Sequence, residues 1–152
     1  MLNLFFDTSA LAKIFHKEAG SEAVIGLIQN QNAELWISEL ARVELVSALH
    51  RRFRMHEINA EQLKTVLGIL GKELKNFHSE PLGSGVLAEA EKLIRDYAGT
   101  IGLRTLDALH LATFLLISET DWKFVVADNA LLKAAAQLNI QIFNPLKNED
   151  QG

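Results

Sequence analysis

The stretch Leu2–Leu11, LNLFFDTSAL, decides the fold. A short, nearly continuous apolar run leads into Asp7, and Thr8, Ser9 and a helix-like ALAKIF follow. An apolar run of this length predicts a buried strand. Asp-Thr-Ser after it is the chemistry that ends a strand and opens a helix. Asp7 is therefore expected at the carboxyl end of a central strand, where open α/β sheets hold their ligands.

Outward from this stretch, strand and helix patterns alternate. Helices are expected over Ser9–Phe15, Ser21–Gln29 (capped by Ser21), a long segment from Ser38 to about Arg54, Asn59–Phe77, Ser84–Tyr97 and a nearly all-apolar stretch capped by Thr105. In the fourth of these, Leu63, Val66, Leu67, Leu70, Leu74 and Phe77 make a one-sided stripe, interrupted by Gly68 and Gly71. In the fifth, Val86, Leu87, Ala90, Leu93 and Ile94 point inward, and Gly99–Gly102 reads as a loop. Further strands are expected at Glu34–Ile37, with Trp36 facing the core, and at Phe124–Ala127 and Ile140–Phe143, with a short extended piece near Pro81. The alternation predicts an α/β domain with a central parallel sheet of four to five short strands flanked by helices. Residues 1–146 form the domain and residues 147–152 a polar tail.

Composition narrows the function classes. A chain of 152 residues that is 49% hydrophobic suits one domain with a substantial core. With no cysteine, thiolate metal sites and disulfides are excluded, and a cytoplasmic location is expected. No signal peptide or membrane span is expected, because no apolar run reaches about 18 residues. A net charge of −4 argues against a simple polyanion binder. Setting aside four acids, Asp7, Glu44, Asp107 and Asp128, leaves 15 basic and 15 acidic residues, so the acidity can be concentrated in one pocket.

Each of these acids has an ordinary reading of its own. Asp7 and Asp128 are favourable helix caps. Both follow strong strand candidates, so a parallel sheet puts them on one edge. Glu44, in ARVELVSAL, fits a solvated helix face shared with Arg51. Asp107 sits among Leu103, Leu106, Leu109 and Leu111, where a charge needs a partner; Arg104 three residues earlier is one candidate. His110 reads as a satisfied core residue. Two carboxylates ~4 Å apart repel by about 4 kcal/mol at an effective dielectric of ~20. Four gathered together therefore need a cation or protons, and an all-oxygen pocket selects Mg²⁺ or Mn²⁺. Asp7 and Asp107 are the expected direct ligands; Glu44 and Asp128 complete the shell. Arg51 leads the candidates for phosphate contact, ahead of Arg42, Arg52, Arg54, Lys13 and Arg104.

The segments FFDTSALAK, ARVELVSAL, LRTLDALHLA and VVADNALLKAA stand in the order and approximate spacing of PIN-domain proteins. The chain resembles, more narrowly, the VapC-type toxins of toxin–antitoxin pairs. The resemblance runs from about Leu2 to Phe143 and maps the family's acids onto Asp7, Glu44, Asp107 and Asp128. It implies a Mg²⁺- or Mn²⁺-dependent ribonuclease of RNA phosphodiester bonds, commonly a homodimer, inhibited by a small antitoxin protein. It also implies support for the metal shell or the substrate from Thr8 and Ser9. Relatives often carry Thr or Ser two positions before the fourth acid; here that position is Val126. Two other readings stand beside this one: a phosphoacceptor domain, which lacks the paired acids it needs after the first strand, and a non-catalytic interaction module.

Overall fold

Side chains alternate along Leu2–Phe6, and that alternation sets the layers of the fold. A computed structural model describes residues 1–30 and 32–147. Five strands form one sheet: β1 (Leu2–Phe6), β2 (Ala33–Ser38), β3 (His78–Glu80), β4 (Lys123–Val125) and β5 (Ile142–Phe143), in the order β3-β2-β1-β4-β5. Every pairing is parallel. Leu4 and Phe6 point into a core shared with helices α1 (Thr8–Phe15), α2 (Ser21–Asn30), α3 (Glu39–Arg54) and α4 (Ala60–Glu73). Phe5 points the other way, into a core built with α5 (Ser84–Ile101), α6 (Thr105–Ile117) and α7 (Asn129–Gln137). There its ring meets Phe114 edge-on at 5.7 Å, and Phe114 stacks on Phe124 at 5.1 Å.

The α/β class, the parallel sheet and its five strands are those expected from the pattern. β1 is central, with Phe6 opposite Ile37 on one side and Val125 on the other. The chain moves outward from β1 through β2 to β3, then returns to the other side of β1 with β4. The crevice between β1 and β4 is thus the switch point of the sheet.

Several helix caps are as predicted. Ser38 accepts from the Leu40 amide, and Asn59 forms a reciprocal capping box with Gln62. The Leu63-to-Phe77 stripe packs against the first core, and Gly68 and Gly71 lie inside α4 with open space beside them.

Other boundaries differ, each for a physical reason. Helix α1 begins one residue earlier, at Thr8, because Asp7 itself is the cap. Ser21 is the first residue of α2 rather than its cap; its hydroxyl donates to the His16 carbonyl and accepts from the Glu18 amide. Thr105 likewise lies inside α6, where Arg104 takes the capping position without a side-chain bond. β2 extends one residue beyond prediction at each end, whereas β4 and β5 are shorter. Leu87 is exposed, one position off the inward line of Val86, Ala90, Leu93 and Ile94. Trp36 is half-buried against the second core and donates to the Asn3 carboxamide.

The expected loop at Gly99–Gly102 is not a loop: α5 continues through Gly99 to Ile101. It stops at Gly102, whose φ of +74° is left-handed, and whose amide bonds back to the Ala98 carbonyl. Of the expected tail, residues 148–152 lie outside the described residues. No helix among the described residues is long and apolar enough to cross a membrane.

The two glycines should respond oppositely to alanine. Gly99→Ala, in a helix with open space around it, is expected to stabilise by up to about 1 kcal/mol. Gly102→Ala is expected to destabilise by about 1 kcal/mol, since its backbone is left-handed. Thermal unfolding of both variants checks the pair of signs.

Candidate active site

Two acids reach the sheet edge by the same local device. Asp7 follows β1 and caps α1, accepting from the Ala10 amide at 3.0 Å. Asp128 follows β4 and caps α7, accepting from the Leu131 amide at 3.0 Å. Because β1 and β4 are parallel neighbours, both caps open on one crevice. Ser9 stitches the two together. Its hydroxyl lies 2.7 and 2.8 Å from the Asp7 oxygens, to which it donates, and accepts from the Ala127 amide at 3.2 Å.

The other two acids come from helices. Glu44, on α3, accepts at Oε1 from the Thr8 hydroxyl at 2.8 Å. The same oxygen lies 2.5 Å from His110 Nε2, which is also 3.0 Å from Thr8 Oγ1. Asp107, in the first turn of α6, has a buried Oδ2 with no hydrogen-bond partner among the described residues. Its nearest cation is Arg104, with Nε at 3.9 Å. Glu44 and Asp107 line a cavity of about 560 Å³ together with Arg104, Thr105, Ile94, Leu103 and Leu106.

Electrostatics ties the acids to one another. Burial pushes the Asp7 carboxyl up to about 6 from an ordinary 3.8; the bonds from Ser9 and Ala10 and the His110 imidazole oppose this, and Asp128 adds to it. Burial also raises Asp107, with Asp128 contributing next, against the pull of Arg104 and His110. Burial would raise Glu44, but the bond and charge of His110 and the Thr8 hydroxyl together bring it below its usual range. Asp128 thus acts on both Asp7 and Asp107, and Glu44 shares a cavity with Asp107. All four acids belong to one region at the carboxyl edge of the sheet.

The donor set fits a hard divalent cation: it is all carboxylate, it is partly buried, and it includes an orphaned oxygen on Asp107. Among the described residues, however, no three His, Asp or Glu side chains stand arranged to hold one ion. Asp7 accepts from Ser9 at both oxygens and from Ala10, whereas Glu44 is engaged by Thr8 and His110 at Oε1 alone and Asp128 by Leu131 at Oδ2 alone. An ion would have to compete with protein partners at Asp7.

The expected basic rim divides. Lys13 is buried, bonded to Glu18 and to the Ala19 carbonyl. Arg52 is engaged by His16, Glu18 and Glu57. Arg51 lines a separate cavity with Ala48, Arg52, Met55 and Glu57. Arg104 is exposed on the wall of the acidic cavity itself. The hydroxyls of Thr8 and Ser9 serve Glu44 and Asp7. Val126 is fully buried in the second core, so that position supplies packing rather than a hydroxyl. His110, read from the sequence as a core residue, is a member of the site. Its signal was the three-residue spacing from Asp107, which puts both on one helix face.

Comparison with known proteins identifies the family and the fold. The family model described as PIN domain matches residues 4–137. Ribonuclease VapC35 of Mycobacterium tuberculosis is 29% identical over 148 residues, covering 93% of this chain and 96% of the relative. Among solved structures, FitAcB from Neisseria gonorrhoeae superposes with a TM-score of 0.71 at 19% identity, covering 93% of this chain and 97% of its own. A toxin–antitoxin complex from Klebsiella pneumoniae superposes with a TM-score of 0.62 at 17% identity, covering 93% and 97%. At these identities the structural likeness concerns the fold.

Asp7 makes a pH-dependent prediction for the metal-free protein. Its folded pKa lies above its ordinary value, so the folded chain holds the proton more tightly. The associated stability is present below about pH 4 and is lost as pH rises through about 6. Asp7→Asn keeps a cap acceptor without the charge. It should melt higher than the parent at about pH 7 in chelator, by at most about 3 kcal/mol, and match it near pH 4. Melting curves across that range test the sign.

Proposed function

The chain belongs to the PIN domain family, and we propose that it is a divalent-metal-dependent endoribonuclease, the toxin of a VapBC-type toxin–antitoxin pair. The observation that supports the reading is the electrostatic linkage of these acids: Asp7 and Asp107 are both raised by burial and by Asp128, and Glu44 lines a cavity with Asp107. Carboxylates held at that cost have a reason when a cation neutralises them. The relation to a named ribonuclease supports RNA as the substrate. The shared fold with a toxin–antitoxin complex supports a small antitoxin as partner. Assembly as a homodimer and a cytoplasmic location accompany this reading.

Asp7 and Asp107 would hold Mg²⁺, or Mn²⁺ in its place, with Glu44 and Asp128 completing the shell. When bound, such an ion supplies Lewis acidity that activates water and steadies charge on phosphate oxygens. The chain's own residues do the rest. Ser9 fixes the Asp7 carboxylate against the strand that carries Asp128. Arg104 stands exposed beside Asp107 and Glu44, where its guanidinium would take a phosphate of the substrate as it approaches the acids. Arg51 extends the basic surface along α3, seven residues from Glu44 and thus about 10 Å further along the axis. The apolar wall of Ile94, Leu103 and Leu106 offers a dry surface to the substrate.

A second reading, a non-catalytic interaction module, rests on the absence of a ready-made ligand triad among the described residues. One assay separates the two. Asp7→Asn and Asp107→Asn should each lower Mg²⁺-dependent RNA cleavage by on the order of 100-fold or more, with RNA binding largely kept. Cleavage unchanged in both would assign the activity elsewhere. RNA binding should also weaken as salt rises, with a shallower slope in Arg104→Ala.

A further inference from the structure

We propose that His110 is a positioning residue that pins one oxygen of Glu44, leaving the other as the only one Glu44 can offer to a ligand. This rests on the ribonuclease reading for its purpose, though not for its geometry. His110 is 3% exposed, on a helix whose neighbouring side chains from Ala108 to Phe114 are all buried. A core histidine needs partners for both ring nitrogens. Here Nε2 has two, Glu44 Oε1 and Thr8 Oγ1, while the buried Nδ1 has none among the described residues. The ring is therefore not placed to satisfy itself; its polar contacts are all directed at Glu44 and the hydroxyl that also serves Glu44.

The donor pattern follows from the groups. The Thr8 hydroxyl donates its one proton to Glu44 Oε1. Its oxygen can then only accept from His110, so Nε2 carries a proton. That proton is shared between Thr8 Oγ1 and Glu44 Oε1. Glu44 Oε1 thus receives two donors, and no other hydrogen bond to the Glu44 carboxylate is formed among the described residues. Since Glu44 also borders the cavity with Asp107, Oε2 is the oxygen left for an incoming cation or water. Glu44 then acts through a single oxygen, oriented by a partner from α6 that lies 66 residues away. Groups that orient metal-binding side chains in this way typically change affinity or activity by 10–100-fold when removed.

The test compares His110→Leu, which keeps bulk, with His110→Gln, which restores an N–H donor, each alone and with Glu44→Gln. In chelated protein, unfolding of the four-member cycle built on His110→Leu and Glu44→Gln should show coupling between the two positions. In Mn²⁺ titrations followed by calorimetry, His110→Leu should weaken binding by about 10–100-fold, and His110→Gln should recover most of it. In the Glu44→Gln background, the His110→Leu change should move Mn²⁺ affinity less than about twofold. His110→Phe, which also removes the ring donor, carries the same comparisons if the leucine variant does not fold. Equal losses in the presence and absence of Glu44, or an absence of coupling in the chelated cycle, would overturn the proposal. The chelated cycle decides it even if Asp7→Asn and Asp107→Asn leave cleavage intact and the ribonuclease reading fails.

Discussion

The parallel pairing of β1 with β2 on one side and β4 on the other is the constraint from which the rest follows. Leu4, Phe5 and Phe6 are fully buried, so this strand cannot slip by one residue without exchanging its two cores. The residue after Phe6 is then committed to the edge of the sheet, at the bottom of the crevice. That residue is Asp7, and its burial pushes its carboxyl up to about 6. The chain accepts this cost because local groups share it: the Ala10 amide, the Ser9 hydroxyl and the first turn of α1 all face the charge.

From Asp7 the site spreads through two small side chains. Thr8 and Ser9 are adjacent in sequence but serve opposite sides of the crevice. Thr8 reaches α3 and α6 through Glu44 and His110, whereas Ser9 reaches the turn before α7 through the Ala127 amide. A hydroxyl suits this work because it donates and accepts at once and adds no charge to a region already short of countercharge. The tripeptide Asp-Thr-Ser therefore touches, directly or through one partner, α3, α6 and the turn before α7, the elements that carry Glu44, Asp107 and Asp128. Val126 leaves the fourth strand without a hydroxyl of its own, and Ser9 provides the bond across instead.

Charge counting described the balance of the protein but not its geography. Several cations that the sequence offered for an RNA-facing rim are committed to other acids: Lys13 and Arg52 both bind Glu18. Arg104, which the pattern put behind Arg51, stands on the wall of the acidic cavity with an exposed side chain. Its Nε lies 3.9 Å from the partly buried Asp107 carboxylate, an ion pair too long and exposed to hold the side chain tightly.

Sequence alone determined whatever is settled within a turn or a strand. The buried run before Asp7, the caps at Asp7, Ser38, Asn59 and Asp128, the apolar stripe from Leu63 to Phe77 and the alternation of strands with helices are all signals carried by residues near one another in sequence. They sufficed for the class and for two of the acids, because a cap fixes its side chain at the end of a strand. Glu44 and His110 were different. On their own helices, one looks solvated and the other looks like core, and neither reading involves the other. Only the fold, which brings one residue of α3 and one of α6 to the Thr8 hydroxyl, puts them together. Gly99 shows the same limit in miniature, since glycine permits a helix or a loop, and the contacts of Tyr97 and Ile101 with the second core carry α5 onward to Gly102. Local backbone preference is written in neighbouring residues; which buried polar group meets which depends on how whole faces pack, and that only the assembled tertiary structure decides.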